Sequence, residues 1–134
     1  MDISSFDDLL RAARAQPEPQ RLLFVFAAAE LPEDSTSEQR ARFVAGEGGT
    51  LVPLMSVDKD PDELADFAGL VAESRQFPGD WHLVFVAGLP GRGGCAPTSA
   101  DADRSLQRMI ESVKTGSFGA YIPFDRQGRP VLFA

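Results

Sequence analysis

The residues with most chemical promise lie between Gly88 and Ser99, where the chain reads Gly-Leu-Pro-Gly-Arg-Gly-Gly-Cys-Ala-Pro-Thr-Ser. A glycine-rich segment with one guanidinium, running into a helix start, can offer an anion backbone N–H groups and the positive end of a helix dipole. Arg92, Gly93, Gly94, Cys95, Thr98 and Ser99 are the candidate ligand-binding residues. The spacing approaches a phosphate-binding P-loop, but Gly94 stands where the lysine belongs and Cys95 where the metal-binding hydroxyl belongs. The competing expectation is that these prolines and glycines simply make a turn, with Thr98 or Ser99 capping the next helix.

Cys95 is the single cysteine and His82 the single histidine. A thiol near a helix N-terminus and an arginine gains reactivity, but a catalytic thiol needs a base. His82 opens the strand whose far end leads to Cys95, a separation of roughly 23 Å. No catalytic pair is expected. The acidic residues Asp58, Asp60, Asp62 and Glu63 cluster, yet Asp60 and Glu63 are explained by helix capping, so no metal site and no cofactor are assigned.

Four helices and five strands would position these residues. The first helix starts at Ser5, with Asp8 three residues on, and presents Phe6, Leu9, Leu10 and Ala13 on one face. A second, at 37–45, has a thin apolar face. The third starts at Asp60 with Pro61 in the first turn and continues through Leu64, Phe67, Ala68 and Val71. The fourth starts at Thr98 or Ser99 and carries Leu106, Met109, Ile110 and Val113. Residues 21–29 and 81–88 are near-continuous apolar runs, as expected of strands buried on both faces. Residues 50–57 and 120–124 contain Pro53 and Pro123 and belong at edges or bulges. Residues 125–128 read as a hairpin turn leading to a last strand at 130–133.

Strand and helix alternate, which predicts right-handed crossovers between parallel strands. The expected architecture is a three-layer α/β/α fold. Its sheet is five-stranded and mostly parallel, order 2-1-3-4-5, with an antiparallel C-terminal hairpin. A two-layer α+β sandwich is the alternative. In the parallel arrangement the turns after the first and third strands frame a crevice, and the 88–99 segment lies in it.

Composition narrows the function classes. The 134 residues suit one domain spanning 1–134, and the net charge is −7. Between Glu30 and Asp80 there are 12 acidic and 4 basic residues, so a phosphate backbone is repelled and no nucleic-acid partner is expected. No apolar run approaches the ~18 residues that cross a bilayer, and no secretory signal opens the chain, so the expected location is cytoplasmic. Tyr121, Phe124, Leu132 and Phe133 place large apolar groups on an expected sheet edge, open to a protein partner or to self-association unless the first helix covers them.

The stretches SSFDDLLRAARAQPEPQRLLFVFA, FVAGEGGTLVPLMSVDK, DELADFAGLVAESRQF, GRGGCAPTSADA and IPFDRQGRPV span nearly the whole chain. As a set they resemble a group of small proteobacterial proteins that carry the label "ribonucleotide reductase subunit alpha". That reaction uses a radical-forming cysteine and a reducing cysteine pair, whereas this chain has Cys95 alone. The resemblance implies no site residues. The expected function is a non-enzymatic protein-interaction domain, with a small-anion or nucleotide binder using residues 88–99 as the alternative.

Overall fold

Apolar residues on alternating sides of two long strands organise the chain, which we describe from a computed structural model covering residues 5–30, 36–44, 50–77, 79–115, 117 and 121–131. The elements run α1 (Phe6–Arg14), β1 (Gln20–Glu30), α2 (Ser37–Val44), β2 (Thr50–Lys59), a 3-10 turn (Pro61–Glu63), α3 (Phe67–Ser74), β3 (Leu83–Pro90), α4 (Ser99–Thr115) and β4 (Ile122–Phe124).

The sheet has four strands in the order β2-β1-β3-β4, and every pair is antiparallel. This corrects the expected mostly parallel, five-stranded, doubly wound sheet. Alternation of strand and helix had suggested crossovers between parallel neighbours. Instead α2 interrupts the connection between two antiparallel neighbours, β1 and β2, and α4 does the same between β3 and β4. Of the expected last strand, Pro130 bridges Phe124 and the Val131 N–H donates to the Pro123 carbonyl at 3.0 Å. Residues 132–134 lie outside the described residues.

β1 and β3 are central, and both faces of each are covered. Leu22, Phe24 and Phe26 of β1, with Val84 and Val86 of β3, pack under Phe6, Leu9 and Leu10 of α1 and under Leu64, Phe67 and Leu70. Leu23, Val25, Ala27 and Phe85 face the other way, under Ala102, Leu106, Met109 and Val113 of α4. Each fully buried large apolar side chain contributes roughly 1.5–3 kcal/mol, which holds helices on both sides of the sheet.

The register decides which ends meet. Gln20 opposes Pro90 and Ala27 opposes Leu83, while Glu30 opposes Thr50. Pro90, where β3 ends, therefore sits beside the start of β1, and Glu30, where β1 ends, lies at the other end of the sheet. The expected crevice needed these two strand ends side by side, and they are not.

The third helix is also corrected. Asp60 and Glu63 make the expected capping box, but it closes only a 3-10 turn, after which Leu64 is extended at φ −116° and ψ 126°. The α-helix begins anew at Phe67, where the Asp66 carboxylate accepts from the Gly69 N–H at 2.9 Å. Breaking the helix lets Leu64 and Phe67 both reach the core.

At the C-terminal hairpin the Asp125 N–H donates to the Arg129 carbonyl, and the Asp125 carboxylate accepts from the Gln127 and Arg129 N–H groups. Gly128 takes φ +77°, and a Cβ there would meet the Phe67 ring at 3.0 Å. Its carbonyl accepts from the Phe6 N–H at 2.8 Å, which fixes the start of α1 against the hairpin.

Candidate functional site

The glycine-rich segment is a built turn. The Gly91 N–H donates to the Pro19 carbonyl at 2.8 Å, and a Cβ at Gly91 would lie 2.0 Å from the Cys95 carbonyl oxygen. Arg92 and Cys95 exchange both backbone hydrogen bonds, at 3.0 and 2.9 Å, around Gly93 (φ +58°) and Gly94 (φ +80°). Two consecutive positive φ values make the mirror-image turn of a two-residue hairpin, which explains the glycine pair without a ligand.

Several of the groups that an anion would use are engaged within the chain. The Gly94 N–H donates to the Glu18 carboxylate at 2.8 Å. At the start of α4 the Asp101 N–H donates to the Thr98 hydroxyl at 3.1 Å, and the Asp101 carboxylate accepts from the Thr98 N–H at 3.2 Å. The Thr98 N–H, the Thr98 hydroxyl and the Arg104 guanidinium together hold the Asp101 carboxyl below its ordinary pKa. Arg92, Gly93, Gly94, Cys95, Thr98 and Ser99 thus share one exposed stretch. Two of their number already serve carboxylates of the chain itself. His82, whose N–H donates to the Ala27 carbonyl, lies at the opposite end of β3 from Cys95.

The C-terminal apolar residues separate. Phe124 is fully buried, its ring 5.6 Å from that of Phe6 and edge-on to it, so α1 covers it. Tyr121 is half-buried and borders a broad groove of about 410 Å³ between α1 and the ends of β1 and β3, with Gln16 and Gln20 on its rim. Leu132 and Phe133 lie outside the described residues. Among the described residues no three His, Cys, Asp or Glu side chains come together as a metal site.

A different place carries exposed apolar surface. Leu54 is 37% exposed and Phe77 55%, and they are the two exposed large apolar residues among those described. Both lie at the corner where β2 meets α3. Leu54 is the extra residue of a bulge, since Met55 opposes Phe26 and Pro53 opposes Ala27. Phe77 follows the last turn of α3, and the backbone then returns past Leu54, whose side chain would lie 3.3 Å from a Cβ at Gly79.

An apolar cleft of about 100 Å³ opens beside them. Met55, Ser56 and Val57 of β2 form one wall, Leu70, Glu73 and Ser74 of α3 the other, with Phe26 and Phe77 completing it. The α3 wall is anchored from behind. The Trp81 indole N–H donates to the Ser74 hydroxyl at 2.9 Å, and that hydroxyl donates to the Val71 carbonyl at 2.6 Å. Lys59 and Glu73 close the rim with an ion pair at 2.7 Å. Pockets for drug-sized ligands occupy roughly 300–1,000 Å³, so this cleft suits one apolar side chain and not a cofactor.

β2 is an edge strand, paired with β1 alone among the described residues. Sequence reasoning placed Pro53 at an edge or bulge, but it passed over Phe77. An aromatic residue just past a helix end, in Gln76-Phe77-Pro78-Gly79, was the available signal. Comparison with protein-family models, with curated proteins and with solved structures finds no match for this chain.

Proposed function

We propose that this chain is a protein-interaction domain that docks a different, net-basic protein on the corner formed by β2 and α3. The observation that carries this reading is the pair of exposed apolar residues at an apolar cleft, Phe77 on its wall and Leu54 next in the chain to its Met55 wall. Single exposed apolar residues are ordinary, whereas two large ones beside a cleft form the kind of patch that partners cover. From Asp58 to Asp80 the chain carries seven acidic and two basic residues. Arg14 and Arg21 reach in to pair with Asp62 and Asp58, and the corner stays net negative. A second copy would bring like charge to like charge, so a basic partner is favoured over self-association.

Photo-crosslinking from positions 54 and 77 in cells, with Arg108 on α4 as the control position, tests the reading. The expected result is one protein captured at both corner positions and not at the control. Once purified, that protein should bind the Phe77→Ser variant about tenfold more weakly than the wild type. Products formed only with other copies of this chain, or equally from Arg108, would remove the basis for the proposal.

A further inference from the structure

We infer that the partner is captured as an added strand: a cationic, extended segment pairs with the Met55–Asp58 half of β2 and lowers one aliphatic side chain into the cleft. This rests on the corner being the docking surface, and adds how the partner binds there and what its chemistry is.

Backbone geometry comes first. In an edge strand every second residue directs its N–H and C=O away from the sheet, and these groups are a template for another strand. β2 is guarded along one half only. Pro53 supplies no donor, and the bulge at Leu54 breaks the ladder spacing, so the half from Thr50 to Leu54 is unsuited to pairing. Met55, Ser56, Val57 and Asp58 form a regular run, in unbroken register with Phe26, Val25, Phe24 and Leu23 on the inner side. An incoming strand therefore has about four residues of edge to use, starting beside the bulge.

The cleft supplies specificity. It lies between that same run and α3, on the face where Met55 and Val57 pack against the core. A strand laid along the edge sends alternate side chains to that face. One of them reaches the space between Met55, Val57, Leu70 and Phe77. The volume, about 100 Å³, fits a valine or leucine better than an indole.

Charge completes the description. Among the described residues Asp60, Glu63 and Asp80 enter no ion pair, while Lys59 at the corner is held by Glu73. Lysine or arginine flanking the apolar residue gains attraction here, and glutamate is repelled.

The test uses the 15N-labelled full chain and a capped heptapeptide that alternates lysine with valine or leucine. Two further versions are N-methylated on the odd or on the even amides, and a fourth has glutamate for lysine. The expected result is that resonances of residues 54–59 and 70–77 shift with the lysine peptide. One methylated version should bind about tenfold or more weakly, because it loses the hydrogen-bonding edge, while the other is little affected. The glutamate peptide should bind far more weakly, and added salt should weaken the lysine peptide.

If both methylated versions shift the same resonances equally, or are weakened equally, strand addition is overturned and the docking surface survives. Equal binding of the glutamate peptide overturns the charge assignment. No shift at residues 54–59 and 70–77 with any peptide up to about 1 mM overturns strand addition. The crosslinking experiment then decides the surface separately.

Discussion

Asp101 and Glu18 account for much of the glycine-rich segment's polar capacity. Asp101 closes a capping box with Thr98, and Glu18 accepts from Gly94, so two carboxylates occupy donors at the turn and the helix start. Replacing Thr98 with alanine removes both an N-cap acceptor and a partner of Asp101, at a cost of about 1 kcal/mol by urea denaturation. The pH dependence has a definite sign. Because the folded Asp101 pKa is lowered, its contribution is present above the unfolded value and is lost as pH falls through the folded one. The wild type should therefore lose stability below about pH 4 in a way that an Asp101→Asn variant does not, with paired acid titrations followed by circular dichroism as the check. Caps of this kind were legible because each bond spans three residues: Ser5 with Asp8, Asp60 with Glu63, Thr98 with Asp101.

At the scale of the element, α3 and β2 make the candidate site, and each departs from regularity where it matters. The periodicity of Leu64, Phe67, Ala68 and Val71 reads as one helix, yet Leu64 is extended and Asp66 starts α3. An N-cap inside an apparently continuous repeat is hidden in the sequence, since aspartate is also tolerated on a helix surface. The structure chooses the break because Leu64, Phe67 and Leu70 then all enter the core. An Asp66→Ala variant should lose about 1 kcal/mol, measured by urea denaturation. It should also weaken capture of the lysine peptide, because α3 forms one wall of the cleft. β2 likewise carries its bulge next to Pro53, where the ladder is already compromised, and the bulge leaves Leu54 at the surface.

For the molecule as a whole, stability should be distributed from the centre of the sheet outwards. β1 and β3 are covered on both faces and paired on both edges, whereas β2 and β4 are the outer strands. In native-state hydrogen exchange, the amides of Phe24, Val25 and Phe85 should open only with global unfolding. The outward amides of β2 should exchange far faster. Equal protection across β2 and β1 would mean that the β2 edge is already covered and unavailable to a partner.

The amino-acid sequence by itself determined the positions of most helices and strands, the caps that start them, and the burial of residues 22–28 and 84–86 within the expected apolar runs. Those properties are local or periodic, and side-chain alternation reports which face a residue occupies. Alternation is unchanged when a strand is reversed, so it carries no information about direction. Only the tertiary structure decided that β1 runs antiparallel to both of its neighbours. That choice set the last residues of β1 and of β3 at opposite ends of the sheet, which removed the frame of the expected crevice. It also left β2 outermost, where a bulge, a helix end and an edge unpaired among the described residues meet from distant parts of the chain.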